Sequence, residues 1–140
     1  MTYRSLALIS NPRTLLESPV ATVTNLRETL NEISAAIDAE QDVVMIYLAS
    51  HGSRRHVLEV ALPPLELAPL TAPALRGLLD AAGIKWRIVV VSACYSGGFI
   101  EALQDDNTLV LTASAANRAS FGCGHRSSAT FFGEALFQHG

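Results

Sequence analysis

Apolar residues fall along this chain in two rhythms. Residues 43–49 (VVMIYLA) and 87–93 (RIVVVSA) are near-continuous apolar runs bounded by polar breaks. Such runs mark strands covered on both faces. Residues 108–113 (TLVLTA) read the same way, as do 5–10 (SLALIS), which Asn11-Pro12 stops. Elsewhere the period lengthens. Leu26, Leu30, Ile33 and Ile37 recur every three or four positions, which lays one stripe along a helix over 24–39, with Thr24 as its cap. Thr71 caps a second helix over 73–82, with Pro73 in the first turn and Gly83 at the end. Further helices are predicted over 98–104 and 130–138. Residues 57–61 form a short strand, and Pro63, Pro64, Pro69 and Pro73 make the stretch after it loop-like. Residues 114–128, rich in Ser, Gly and Asn, read as loop.

Strands and helices alternate four times, which predicts a parallel α/β sheet with helices on both faces. One domain over residues 1–140 accounts for the length. The chain is 49% hydrophobic and 16% charged, so it has ample material for a core and is not of disordered composition. A net charge of −3 and no basic face argue against a nucleic-acid partner. No apolar stretch approaches the roughly 20 residues of a membrane span. The opening MTYRSLALISNPR is not a signal peptide. Two cysteines, Cys94 and Cys123, do not suggest a disulfide framework, and the compartment stays open.

In open parallel sheets the reactive groups gather at the carboxyl ends of the strands. Two such ends carry chemistry. One run ends in Ser50-His51-Gly52, the other in Cys94 followed by Tyr-Ser-Gly97-Gly98. With one helical crossover between them, both ends reach the same edge. A histidine and a cysteine there form the minimal unit of thiol catalysis: the imidazole takes the thiol proton and the thiolate attacks a carbonyl. The resulting oxyanion needs backbone donors, which the amides of Gly52 and Cys94 can supply. Gly97-Gly98 permits a tight bend into a helix whose positive end faces the sulfur. The plainer alternative makes Cys94 a small core residue and the glycines an ordinary turn.

Ser50-His51-Gly52, followed by Ser92-Ala93-Cys94-Tyr95-Ser96-Gly97-Gly98, resembles the legumain family of caspase-fold cysteine peptidases, which carry a His-Gly and then an Ala-Cys-x-Ser-Gly motif in this order. Residues 112–123 look like that family's segment after the next strand, and the likeness covers roughly 5–138. The resemblance implies a caspase-like three-layer αβα sandwich with a mainly parallel sheet. It implies a cysteine endopeptidase acting on a peptide or protein substrate, with His51 and Cys94 as the dyad and Gly52 in the oxyanion hole. Ser120 matches a serine lining the primary specificity pocket, and Glu134 an acid at its base; read alone, Glu134 is equally an exposed helix charge. Tyr95 stands where legumains carry glutamate, so their preference for asparagine before the scissile bond is not implied. The family's catalytic domains start with one more strand. On that comparison this chain is a fragment that begins one strand late, with a carboxyl end that is cut as well.

Other assignments are weaker. Ser96 lacks the flanking glycines of a nucleophile elbow. His51, His56, Cys94, Cys123 and His125 have no metal-ligand spacing, and the thiol chemistry calls for no cofactor. Cys123 reads as a packed or idle thiol, His56 and His139 as surface residues, and Arg54-Arg55 as a solvated pair beside the cleft. A caspase-like module that binds or signals without cutting is the alternative function. A small-molecule-binding flavodoxin-like domain is a third. An uncovered sheet edge invites pairing with a second copy.

Overall fold

The two central apolar runs become neighbours in one sheet. The computed structural model describes residues 4–120 and 131–138. In chain order, helix α1 (Val23–Ala36) leads to strand β1 (Val43–Ala49), then to the short strands β2 (Val57–Leu58), β3 (Ala61–Leu62), β4 (Leu65–Glu66) and β5 (Leu70–Thr71). Helix α2 (Ala72–Ala81), strand β6 (Trp86–Ser92), the one-turn helix α3 (Ile100–Leu103), strand β7 (Thr108–Thr112) and helix α4 (Phe131–Gln138) follow. Strands β1, β6 and β7 form a parallel sheet with β6 in the middle. The β2–β5 and β3–β4 pairs are antiparallel.

One face of the sheet makes the core. Val44, Ile46, Val89 and Val91 pack with Leu30 of α1, Leu75 and Leu79 of α2, Phe99 and Leu103. Full burial of each such side chain contributes roughly 1.5–3 kcal/mol. On the opposite face α4 sets Phe137 edge-on against Tyr47, with ring centroids 5.2 Å apart. The result is an αβα arrangement of the caspase-like kind. No helix among the described residues is long and apolar enough to cross a membrane.

Several expectations need correction. Residues 5–10 are not a strand; Ile9 N–H bonds instead to the Pro19 carbonyl at 2.9 Å, and Leu6 is exposed. Without a hydrogen-bonded neighbour an apolar run has no ladder to join. Helix α1 is capped by Thr22, not Thr24, because Thr22 is extended and its hydroxyl accepts from Asn25 N–H at 3.0 Å. Strand β1 is not covered on both faces: Val43 and Met45 are 58% and 48% exposed, as is Leu109 at 53% on β7. The cause is length. The eight residues of α4 span about 12 Å, whereas the seven of β1 span about 23 Å. The strand predicted over 57–61 is only Val57–Leu58, and Ala61 instead opens the β3–β4 hairpin, which reaches into the stretch read as loop-like. The helix predicted over 98–104 is split: a 3-10 turn (Ser96–Phe99) runs directly into the four residues of α3. Thr71 and Gly83 cap α2 as predicted, Gly83 with φ +69°.

At the amino edge of the sheet an ionic cluster ties α2 to β6. The largely buried Arg87 donates to Asp80 and to the Ile84 carbonyl, each at 2.6 Å, and Arg76 donates to the other Asp80 oxygen at 2.9 Å. Desolvation pushes the Asp80 carboxyl up, but hydrogen bonds from Arg87 and Arg76 outweigh it and hold it below its ordinary 3.8. A depressed carboxyl stabilises the fold above its unfolded value, and that contribution is lost as pH falls through the folded value. Asp80→Ala is expected to cost roughly 1–3 kcal/mol at neutral pH, since a buried guanidinium loses its acceptor. The gap to wild type should narrow in thermal melts taken at progressively lower pH below 3.8. A gap that does not change with pH would contradict this.

Candidate active site

The register of the sheet decides which residues meet. Ala49 of β1 lies opposite Ser92 of β6 as the last matched pair. His51 and Cys94 each follow two residues beyond that pair, on the same carboxyl edge. Ser50 N–H bonds across to the Ser92 carbonyl at 3.4 Å, so the strands stay together past their formal ends. His51 is exposed, and its carbonyl accepts from Glu59 N–H at 2.9 Å, which anchors the loop without using the ring.

Gly52 makes the closest approach. A Cβ there would sit 2.0 Å from the Cys94 carbonyl oxygen and 3.1 Å from Ala93 Cβ. Only a residue without a side chain lets the two strand ends pack this tightly. Gly52 also faces Leu58 in an isolated antiparallel bridge flanked by the bonds Glu59 N–H to His51 and Ser53 N–H to Val57. Those bonds make Gly52 and Leu58 the non-hydrogen-bonded pair, so the Gly52 N–H turns away from Leu58. It has no hydrogen-bond partner among the described residues.

Cys94 is half-buried. Ser120 N–H donates to its sulfur at 3.3 Å, and the Ser120 carbonyl lies 3.9 Å from the same atom. Residues 113–120, which follow β7, are stitched to the end of β6 and the cysteine turn. Ala113 N–H bonds to Val91, the Ser114 hydroxyl donates to the Ala93 carbonyl at 3.0 Å, and the fully buried Ser96 hydroxyl lies 3.2 Å from that of Ser114. Tyr95 N–H donates to the Arg118 carbonyl at 2.8 Å.

The unusual backbone in this turn belongs to Tyr95, not to the glycines. Tyr95 has φ +57°, a left-handed conformation that costs a non-glycine residue about 1–2 kcal/mol. Gly97 and Gly98 provide clearance instead. A Cβ on Gly97 would lie 2.5 Å from Ala116 N, and one on Gly98 would lie 2.1 Å from the His56 ring. Sequence reading placed His56 on the surface. It is half-buried, and its Nδ1 lies 3.1 Å from the Tyr95 carbonyl. The second glycine of the pair, more than a tight bend needs, is the signal that could have pointed to a ring packed there. Arg54 lies over the Tyr95 ring, 5.8 Å from its centroid. Arg55 and His56 line a groove of about 590 Å³ together with Thr71, Pro73 and Glu101.

Glu134 is half-buried on α4, one turn before Phe137. No ion pair joins it to another described residue. Cys123, His125 and His139 lie outside the described residues. Among the described residues no three His, Cys, Asp or Glu side chains converge as a metal site.

Gly52→Ala tests the packing. The added methyl meets backbone, which cannot rotate aside, so a loss of roughly 1–3 kcal/mol of stability is expected. Slower alkylation of Cys94 should accompany it. Wild-type melting and labelling would show that the two strand ends are not in contact.

No curated protein matches the chain. A family model, described as the Peptidase C13 family, matches residues 25–139 and so spans both strand ends, the cysteine turn and helix α4. The chain belongs to that family, the legumain family of caspase-fold cysteine peptidases.

Proposed function

We propose that the chain is a cysteine endopeptidase working through His51 and Cys94. His51 takes the proton from the Cys94 thiol, and the thiolate attacks the carbonyl carbon of the scissile peptide bond. The carbonyl π electrons move to oxygen, and the Gly52 and Cys94 amides hold the oxyanion. When the tetrahedral adduct collapses, the C–N bond breaks and His51 returns its proton to the leaving amine. The thioester left on Cys94 is hydrolysed by a water that His51 deprotonates, and the proton then goes back to sulfur. Ser120 lines the pocket for the residue before the cut, a role supported by its amide beside the sulfur. Glu134 supplies the acid at the pocket's base, a role that rests on the family motif.

The observation that carries this reading is the Gly52 backbone seated on the Cys94 carbonyl, its N–H turned away from Leu58 and unused among the described residues. A structural glycine would need the clearance but not the unused donor. The open part of the sheet face, with Val43, Met45 and Leu109 exposed, favours the second reading: a caspase-like module that binds without cutting.

Labelling with a peptidyl acyloxymethyl ketone, alongside hydrolysis of a peptide library, separates the two. The proposal expects Cys94→Ala to abolish both, and His51→Ala to lower turnover by roughly 10²–10⁴-fold. A Cys94 that reacts no faster than a free thiol, at a rate indifferent to His51→Ala, would leave the binding module as the better account.

A further inference from the structure

We infer that His56 is a positioning residue that fastens the loop carrying His51 to the turn carrying Cys94. The inference rests on the peptidase reading for its consequence, but not for its geometry.

His56 and Tyr95 are the non-glycine residues with positive φ among the described ones, each at +57°. They are also bonded to one another, His56 Nδ1 to the Tyr95 carbonyl at 3.1 Å, across 39 positions of sequence. A carbonyl only accepts, so Nδ1 carries the proton. The ring reaches this place because residue 98 is glycine; a methyl there would stand 2.1 Å from the ring atoms Cγ and Nδ1.

The Tyr95 peptide is thereby gripped by three separate segments. Its carbonyl also accepts from Gly98 N–H at 3.2 Å, within its own turn, and its N–H donates to Arg118 in the loop after β7. His56 supplies the hold from the third side. Removing it leaves Tyr95 in an uncommon conformation with one fewer constraint, and Cys94 is the next residue back along the chain.

The His56 end is fixed as well. His56 N–H bonds to the Ser53 carbonyl at 3.0 Å and Ser53 N–H to the Val57 carbonyl at 3.1 Å, closing a tight turn directly after His51-Gly52. One loop therefore bears the catalytic imidazole at one end and the clamp at the other. The clamp sets the two halves of the proposed dyad against each other, which sheet pairing alone does not do once the strands have ended at Ala49 and Ser92. A ring that merely filled space would be replaceable by any ring, and its backbone would have no need of the left-handed region.

Three substitutions separate these roles. His56→Phe keeps a ring and loses the donor. His56→Gly keeps the backbone conformation and loses both. His56→Asn tolerates the left-handed region and places an amide donor near the position of Nδ1. The readout is the rate of iodoacetamide labelling at Cys94, resolved by peptide mapping, with a thermal melt of each variant to fix a temperature at which it is folded. The clamp predicts that Phe and Gly slow labelling by about tenfold or more, the scale on which misplaced reacting groups are felt, and that Asn restores most of the rate. On a cleaved peptide the loss falls on kcat rather than KM. If Phe matches wild type, or Asn is as slow as Gly, the inference is overturned. If Phe does not fold, the comparison of Asn with Gly decides alone. Labelling needs no peptide hydrolysis, so a wild-type chain that cuts nothing while the variants keep this order would sink the peptidase reading and leave the clamp standing.

Discussion

The site hangs on the absence of one side chain. At Gly52 the backbone of one strand end lies against the backbone of the next, close enough that even a methyl group would overlap the Cys94 carbonyl. Parallel pairing of β1 and β6 brings the ends to one edge, but strand spacing of about 4.8 Å still leaves each end free to diverge. The Gly52 contact removes that freedom. The same segment leaves the Gly52 N–H turned away from Leu58, because the bridge to Leu58 uses its neighbours' bonds and not its own. Close packing and an open donor are thus two results of one local geometry.

Between Ala93 and Phe99, which are packed in the core, the cysteine turn is held by hydrogen bonds. The buried Ser96 and the half-buried Ser114 satisfy one another and the Ala93 carbonyl, and Ser120 N–H reaches the sulfur itself. Buried polar groups fix geometry when every one of them has a partner. Tyr95 shows what that rigidity supports: a conformation its own side chain disfavours, kept by partners on three sides. Strain of this kind persists only where the surroundings over-determine it.

The long-range frame was legible in the sequence because it is written in periodicity. The runs at 43–49 and 87–93, the stripe from Leu26 to Ile37 and the Thr71 and Gly83 caps each have a local physical cause, and each reappears in the fold. His51 and Cys94 could be set on one edge because parallel strands share a carboxyl end. What stayed hidden depends on contacts across the chain. Tyr95 carries no sign of a positive φ, and His56 is one polar residue in a polar loop, bonded to a partner 39 positions away. Residues 5–10 have the composition of a strand, but composition does not supply a neighbour. The cap read at Thr24 lies at Thr22, because it is the Thr22 hydroxyl that the Asn25 amide reaches.

In the proposed reaction the Gly52 amide and the His51 ring serve a carbonyl bound to Cys94. The most direct measurement is a crystal structure of the chain with a peptidyl acyloxymethyl ketone joined to that sulfur. The adduct's carbonyl oxygen is expected about 3 Å from Gly52 N, with the His51 ring on the leaving-group side. An adduct whose oxygen faces solvent, with His51 on the far side of the loop, would contradict it.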